Sequence, residues 1–154
     1  MSVIAVERPD APDVRPLIDA ARAHADSLYP AESNHGLGAE ALLDPAVTFL
    51  VARDDGRAAG CGAWVRIGAG EAEIKSMWVE PAARGRGVAR RLLDRLEAIA
   101  RADGIRTLRL ETGIRQPEAL ALYRRAGFVA TGAFGAYKAD PLSVFMAKTL
   151  DGPR

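Results

Sequence analysis

The stretch that most constrains the fold is 47–79, where three β-type runs follow one another with only short turns between them. Residues 47–53 (VTFLVAR), 58–66 and 71–79 (EAEIKSMWV) are rich in β-branched, aromatic and alternating residues. Asp54-Asp55-Gly56 is a hairpin signal, because Asp-Gly tolerates the positive φ of a tight turn, and Gly68 to Gly70 turns the chain again. The three runs therefore make an antiparallel meander. Glu80-Pro81 stops the third run and a Gly/Arg loop follows. Residues 87–102 then carry Val88, Leu92, Leu93, Leu96, Ile99 and Ala100 on one helical stripe, ahead of a strand at 106–112.

The flanks complete the pattern. A strand is expected over 2–7 and an amphipathic helix over 12–28, with Val14, Leu17, Ile18, Ala21 and Leu28 on its stripe. A polar loop over 29–38 and a short helix over 39–44 follow. Further on come a helix at 116–126 and strands at 127–132 and 142–149. Consecutive strands first and helical crossovers later predict an α/β fold: a mixed sheet of six or seven strands with helices on both faces. A chain of 154 residues fits a single domain spanning 1–154.

Composition removes several function classes. The net charge of +1 gives no global attraction to nucleic acid or acidic membranes. No stretch approaches the roughly 18 apolar residues of a membrane span. The N-terminal MSVIAVERPD has no basic segment followed by a long apolar run, so a cytoplasmic protein is expected. One cysteine, Cys61, excludes an internal disulfide and, between Gly60 and Gly62, reads as buried and inert. Two histidines and that cysteine match no zinc spacing, so no metal is expected.

The chemistry concentrates at 84–90 (Arg-Gly-Arg-Gly-Val-Ala-Arg), where a strand gives way through a glycine-rich turn to a helix. Such a turn aims unpaired N–H groups and the positive helix end at one point. Gly85 and Gly87 allow the backbone close to an anion, and Arg84, Arg86 and Arg90 add charge. No Gly-Lys-Ser/Thr follows, and Arg90 breaks a Gly-x-Gly-x-x-Gly fingerprint, so neither a Walker loop nor a dinucleotide motif is present.

Arg84-x-x-Gly87-x-Ala89 resembles the Gln/Arg-x-x-Gly-x-Gly/Ala signature of the GNAT superfamily of acyltransferases. Residues 116–128 (QPEALALYRRAGF) resemble its second signature, Asn-x-x-Ala-x-x-Leu-Tyr-x-x-x-Gly-Phe, with Gln116 where Asn is usual. The two stand in the family's order over a matching succession of strands. The phrases at 33–37, 60–63, 73–77, 110–113 and 140–146 further resemble a bacterial subgroup of small GNAT proteins. Some of these are linked to indole-3-acetic acid metabolism, which is not carried to this chain as a substrate.

The resemblance implies an N-acetyltransferase using acetyl-coenzyme A, with a small-molecule amine as acceptor. A peptide acceptor, or a non-catalytic acyl-coenzyme A-binding module, are the alternatives. It implies that the N–H groups of 84–90, Val88 and Ala89 included, hold the pyrophosphate. It implies that the strand at 71–79 splays from 106–112, so that backbone at Met77, Trp78 and Val79 pairs with the pantetheine, with Gln116 and Tyr123 on its other side. Tyr123 is then the acid that protonates the departing thiolate. Dimerisation, common in the family, stays open.

For the base, period-two alternation puts Glu71, Glu73, Lys75 and Met77 on one strand face and Ala72, Ile74, Ser76 and Trp78 on the other. Charges in a central strand need a partner or a task. Glu73 is the first candidate, directly or through water, and Glu111 the second. Lys75 beside Glu73 favours a binding role or a structural pair. The acceptor pocket is expected from loops 29–37 and 133–141, which offer Tyr29, Ser33, His35, Phe134 and Tyr137.

Overall fold

The structure, a computed structural model, describes residues 2–151. Seven strands form one sheet: β1 (Val3–Val6), β2 (Val47–Asp54), β3 (Arg57–Gly68), β4 (Glu71–Val79), β5 (Thr107–Gly113), β6 (Val129–Thr131) and β7 (Ser143–Thr149). Their order is β1-β2-β3-β4-β5-β7-β6, and only β4–β5 is a parallel pair. The β2–β3 hairpin turns through Asp55 and Gly56, whose φ values of 50° and 81° are the left-handed geometry that Asp-Gly supplies.

Three helices cover the sheet: α1 (Arg15–Leu28), α2 (Val88–Ala102) and α3 (Pro117–Arg125). Helix α1 starts at Arg15 rather than 12, because a turn comes first, closed by the Val14 N–H on the Ala11 carbonyl (3.0 Å). The short helix expected at 39–44 is a 3₁₀ turn at Ala41–Leu43.

Each face buries its own cluster. Leu92, Leu93 and Leu96 of α2 pack with Leu50, Trp64, Ile74, Leu108 and Leu110, and Tyr123 and Phe128 join them. Val14, Leu17 and Ile18 of α1 pack on the opposite face with Phe49, Val51, Cys61 and Ala63. A fully buried leucine in such a layer contributes about 1.5–3 kcal/mol. Cys61 is inside the second cluster, its thiol pushed up to about 12 by burial, as its glycine-flanked place in the sequence suggests.

Two irregularities in β4 shape the site. The first is a bulge. Cys61 stands opposite Trp78 and Ala63 opposite Lys75, so Ser76 and Met77 share the space facing Gly62. Ser76 takes a left-handed φ of 57°, and its carbonyl accepts from the Cys61 thiol (3.2 Å). This corrects the strict alternation expected of 71–79. The extra residue turns Met77 toward α2, and Trp78 onto the α1 face, where it meets the His24 ring at 5.5 Å. Gly62 leaves room for this: a Cβ there would displace the flexible Met77 thioether and approach Leu96 Cδ1 to 3.2 Å.

The second irregularity is a splay. Pairing between β4 and β5 covers Glu71↔Thr107, Ala72↔Leu108 and Glu73↔Arg109 and then stops, although the strands continue to Val79 and Gly113. A V-shaped gap opens between two backbone edges in the middle of the sheet.

Candidate active site

The gap continues into a cleft of about 930 Å³ that runs from Glu111 and Thr112, past Met77 and Trp78, to the turn before α2. Gly85 and Gly87 in that turn have φ of 81° and 77°, so both need the freedom of glycine. Gly87 is the residue at the helix start, and no side chain caps α2. Its first N–H groups are therefore left to face the cleft mouth, alongside Val88 and Ala89.

The arginines divide the work differently from the sequence expectation. Arg84 Nε donates to the Val79 carbonyl (2.9 Å), and its guanidinium lies 4.7 Å from the Trp78 ring centre. It thereby fixes the end of β4 against the loop. Arg90 is paired with Asp94 one helical turn on (2.9 Å). Arg86 is exposed, and its carbonyl accepts from Arg91 Nη1 (2.9 Å). The Val79 carbonyl, expected to be free for a ligand, is thus already engaged.

Helix α3 forms the facing wall. Gln116 precedes it, and Tyr123 lies within it, 6% exposed, its ring edge-on to Phe128 at 5.7 Å. Its hydroxyl has no hydrogen bond among the described residues, while burial pushes its pKa well above the ordinary phenol value. It is a protonated donor lining the cleft beside Met77 and Gln116.

A second, wider pocket of about 1200 Å³ adjoins the first across His35, Gly36 and the upper part of β4. Phe134 and Tyr137 make its wall and Glu73, Glu71 and Arg109 its floor. Here the structure brings together groups distant in sequence. Lys75 Nζ donates to the Tyr137 hydroxyl (2.6 Å), the His35 carbonyl (3.2 Å) and the Glu73 carboxylate (3.1 Å). The Tyr137 hydroxyl in turn donates to Glu73 Oε2, and burial first, then that carboxylate, raise the Tyr137 pKa far above normal. Ser33 Oγ donates to Asp140 Oδ2 (2.5 Å), so the two acceptor loops are tied to each other as well as to β4.

Glu111 projects from β5 into the gap. Its Oε2 accepts from Ser143 Oγ (2.8 Å), and desolvation pushes the carboxyl above its ordinary 4.5 despite that hydrogen bond. The carboxylate is half-buried and Oε1 has no donor among the described residues.

Of the side chains expected at the acceptor, His35, Phe134 and Tyr137 line the wider pocket and three others do not. Tyr29 is buried, packs over Gly113 and accepts at its hydroxyl from the Arg115 N–H (3.0 Å), so it closes the end of the first cleft. Ser33 is buried on Asp140. Lys75 directs its donors to three internal acceptors, among them Glu73, the structural pairing that the sequence left open. Arg109 was missed by sequence reasoning. The signal was there: a charge in the middle of a central strand, on the alternation face of Glu111.

The acetyltransferase (GNAT) family profile matches residues 12–128. An IAA acetyltransferase of Azospirillum brasilense is 48% identical over 148 residues, 96% of this chain and 97% of that one. YsnE, an uncharacterised N-acetyltransferase of Bacillus subtilis (strain 168), is 38% identical over 125 residues, 80% of this chain and 83% of that one. The crystal structure of a candidate acyl-CoA N-acyltransferase from Klebsiella pneumoniae superposes with a TM-score of 0.85 at 39% identity, covering 98% of this chain and 99% of the other.

Proposed function

This chain belongs to the acetyltransferase (GNAT) family, and on that premise we propose that it moves the acetyl group of acetyl-coenzyme A to the amine of a small molecule, with both bound at once. The observation that carries this reading is the convergence of the two motif regions, 84–90 and 116–123, on one cleft whose inner end is the β4–β5 gap. That cleft leads directly into a second pocket large enough for a separate acceptor. The name of the Azospirillum relative favours a small molecule over a peptide.

The residues present fit the donor. Uncapped N–H groups at the start of α2 suit a pyrophosphate, and the glycine backbone at 85 and 87 lets it approach. The β4 backbone at Met77 and Trp78, beyond the last rung shared with β5, suits an amide-bearing pantetheine arm, with Gln116 opposite. When bound, acetyl-coenzyme A supplies an activated acyl carbon and a thiolate leaving group. An N–H of β4 aimed at the thioester oxygen stabilises the charge that develops there, by about 3 kcal/mol for one well-placed donor.

Protons move at two places. The acceptor ammonium would lose one to a carboxylate; its nitrogen would then form the new bond to the acyl carbon as the C–S bond breaks, and would shed the second proton that an amide does not keep. The departing sulfur would receive a proton from the Tyr123 hydroxyl, which is protonated and uncommitted, and the proton shed by the nitrogen would restore the phenol. Between the carboxylates, Glu73 has Oε2 shared by Tyr137 and Lys75, whereas Glu111 has a free oxygen and a raised pKa. These favour Glu111 as proton acceptor, with Glu73 holding Tyr137 and Lys75 in place.

The test is thiol release from acetyl-coenzyme A with a panel of small amines and peptides, with the acetylated product identified by mass. Release with small amines at rates above the peptides is expected. Coenzyme binding without turnover across the panel would instead make this an acyl-coenzyme A-binding module. Preferential peptide turnover would make it a peptide acetyltransferase.

A further inference from the structure

Resting on that reading, we infer that the acceptor is an amino acid, an amine carrying a carboxylate and a bulky apolar side chain, and that Arg109 selects it. Arg109 sits on the floor of the wider pocket, directly opposite Glu73 across the last paired rung of β4 and β5. Its Nε donates to Glu71 Oε1 (2.5 Å), which fixes the guanidinium plane. The two Nη groups form no hydrogen bond among the described residues, and the side chain is 29% exposed. A guanidinium with Nε anchored and both Nη groups free presents the planar fork that a carboxylate fills.

The spacing suits such an acceptor. Glu111 lies two residues beyond Arg109 on the same face of β5, about 7 Å along the strand. An α-amino acid lying between them sets its ammonium toward Glu111, where the thioester carbon is to be met, and its carboxylate toward the Arg109 Nη groups. The remaining wall is apolar and aromatic. Phe134 lies 5.7 Å below the Arg109 guanidinium, edge-on to Tyr137 at 5.1 Å, and Ile67 lines the same pocket. A large apolar side chain covers that surface, while glycine or a polyamine leaves it wet. Glu71 partly neutralises Arg109, so the cation alone does not recruit every anion. The demand is for both charges of a zwitterion at this separation.

The experiment compares L-phenylalanine, 2-phenylethylamine, glycine and spermidine as acceptors, by thiol release, in the wild type and in Arg109→Gln and Arg109→Lys. The wild type is expected to favour phenylalanine over 2-phenylethylamine by about 10- to 100-fold in kcat/KM, the scale of one charge-assisted pair. Arg109→Gln brings that ratio to about 1 through KM, and Arg109→Lys restores part of it. Coenzyme A affinity, read from Trp78 fluorescence, confirms that each variant is folded. Turnover of 2-phenylethylamine or spermidine at or above the rate with phenylalanine overturns the inference and leaves the acetyltransferase reading standing. So does an unchanged ratio in Arg109→Gln. No thiol release with any amine overturns that reading, and this inference with it.

Discussion

Replacing Gly113 with alanine tests whether the cleft is held open by packing at its closed end. Gly113 is the last residue of β5, and the Tyr29 ring lies across it. A Cβ there would come within 2.6 Å of Tyr29 Cε1, and closer still to the phenol end of the ring. A rigid aromatic cannot yield as a flexible side chain does. It is also fixed by the Arg115 N–H on its hydroxyl (3.0 Å), while Arg115 Nη1 reaches the Leu28 carbonyl (2.5 Å). Overpacking costs about 1–3 kcal/mol, and the displaced hydroxyl forfeits a hydrogen bond of about 1 kcal/mol. The sum, about 2–4 kcal/mol, corresponds to a Tm drop of roughly 5–15 °C at this chain length. Urea denaturation followed by tryptophan fluorescence measures it. Tyr29→Phe alone should cost about 1 kcal/mol. Tyr29→Ala combined with Gly113→Ala should be less destabilising than the two single losses added together, by about 1–3 kcal/mol, because the ring that causes the clash is gone. A Gly113→Ala variant within about 0.5 kcal/mol of wild type, or strict additivity in the double variant, would refute the wedge.

Other expectations concern the chemistry. Tyr123→Phe should lower kcat by about 100-fold or more, with stability and coenzyme A affinity nearly unchanged, since the hydroxyl makes no internal hydrogen bond; unchanged turnover would remove its role. Gly87→Ala places a Cβ on a residue with φ of 77°, which strains the turn by about 1–2 kcal/mol, so the coenzyme A dissociation constant should rise about tenfold by calorimetry. If Glu111 is the base, the acid limb of kcat/KM lies above pH 4.5, because desolvation raises this carboxyl, and Glu111→Gln abolishes it. The same shift fixes a stability sign. A raised folded-state pKa opposes the ionised form, so the penalty is present at neutral pH, fades as the pH falls through the raised value, and is gone below 4.5. Glu111→Gln should therefore be more stable than wild type at pH 7.5 and no more stable in acid, as urea midpoints will report.

The parts of the cleft legible in the sequence are those encoded locally. The turn at 84–87 announces itself because two glycines and a helix start are adjacent in the chain, and Tyr123 sits in a helix whose stripe is visible. The bulge is different. It lies opposite Gly62 on the neighbouring strand, and nothing within 71–79 shows that Met77 and Trp78 will exchange faces. The Glu73–Lys75–Tyr137 cluster joins residues more than 60 positions apart, and Ser33–Asp140 spans 107. Loop sequence named most of these residues but could not pair them, which is why the choice for Lys75 between a binding role and a structural pair stayed open. Arg109 was passed over because its neighbours Leu108 and Leu110 make the strand look like plain core.

The most direct test of the account is a crystal structure with acetyl-coenzyme A. It should show the pyrophosphate on the N–H groups of Gly85 to Ala89, the pantetheine between β4 and β5 beyond Glu73, and the sulfur within hydrogen-bond reach of the Tyr123 hydroxyl. A nucleotide bound away from that turn, or a β4–β5 gap closed by strand pairing past Glu73, would contradict it.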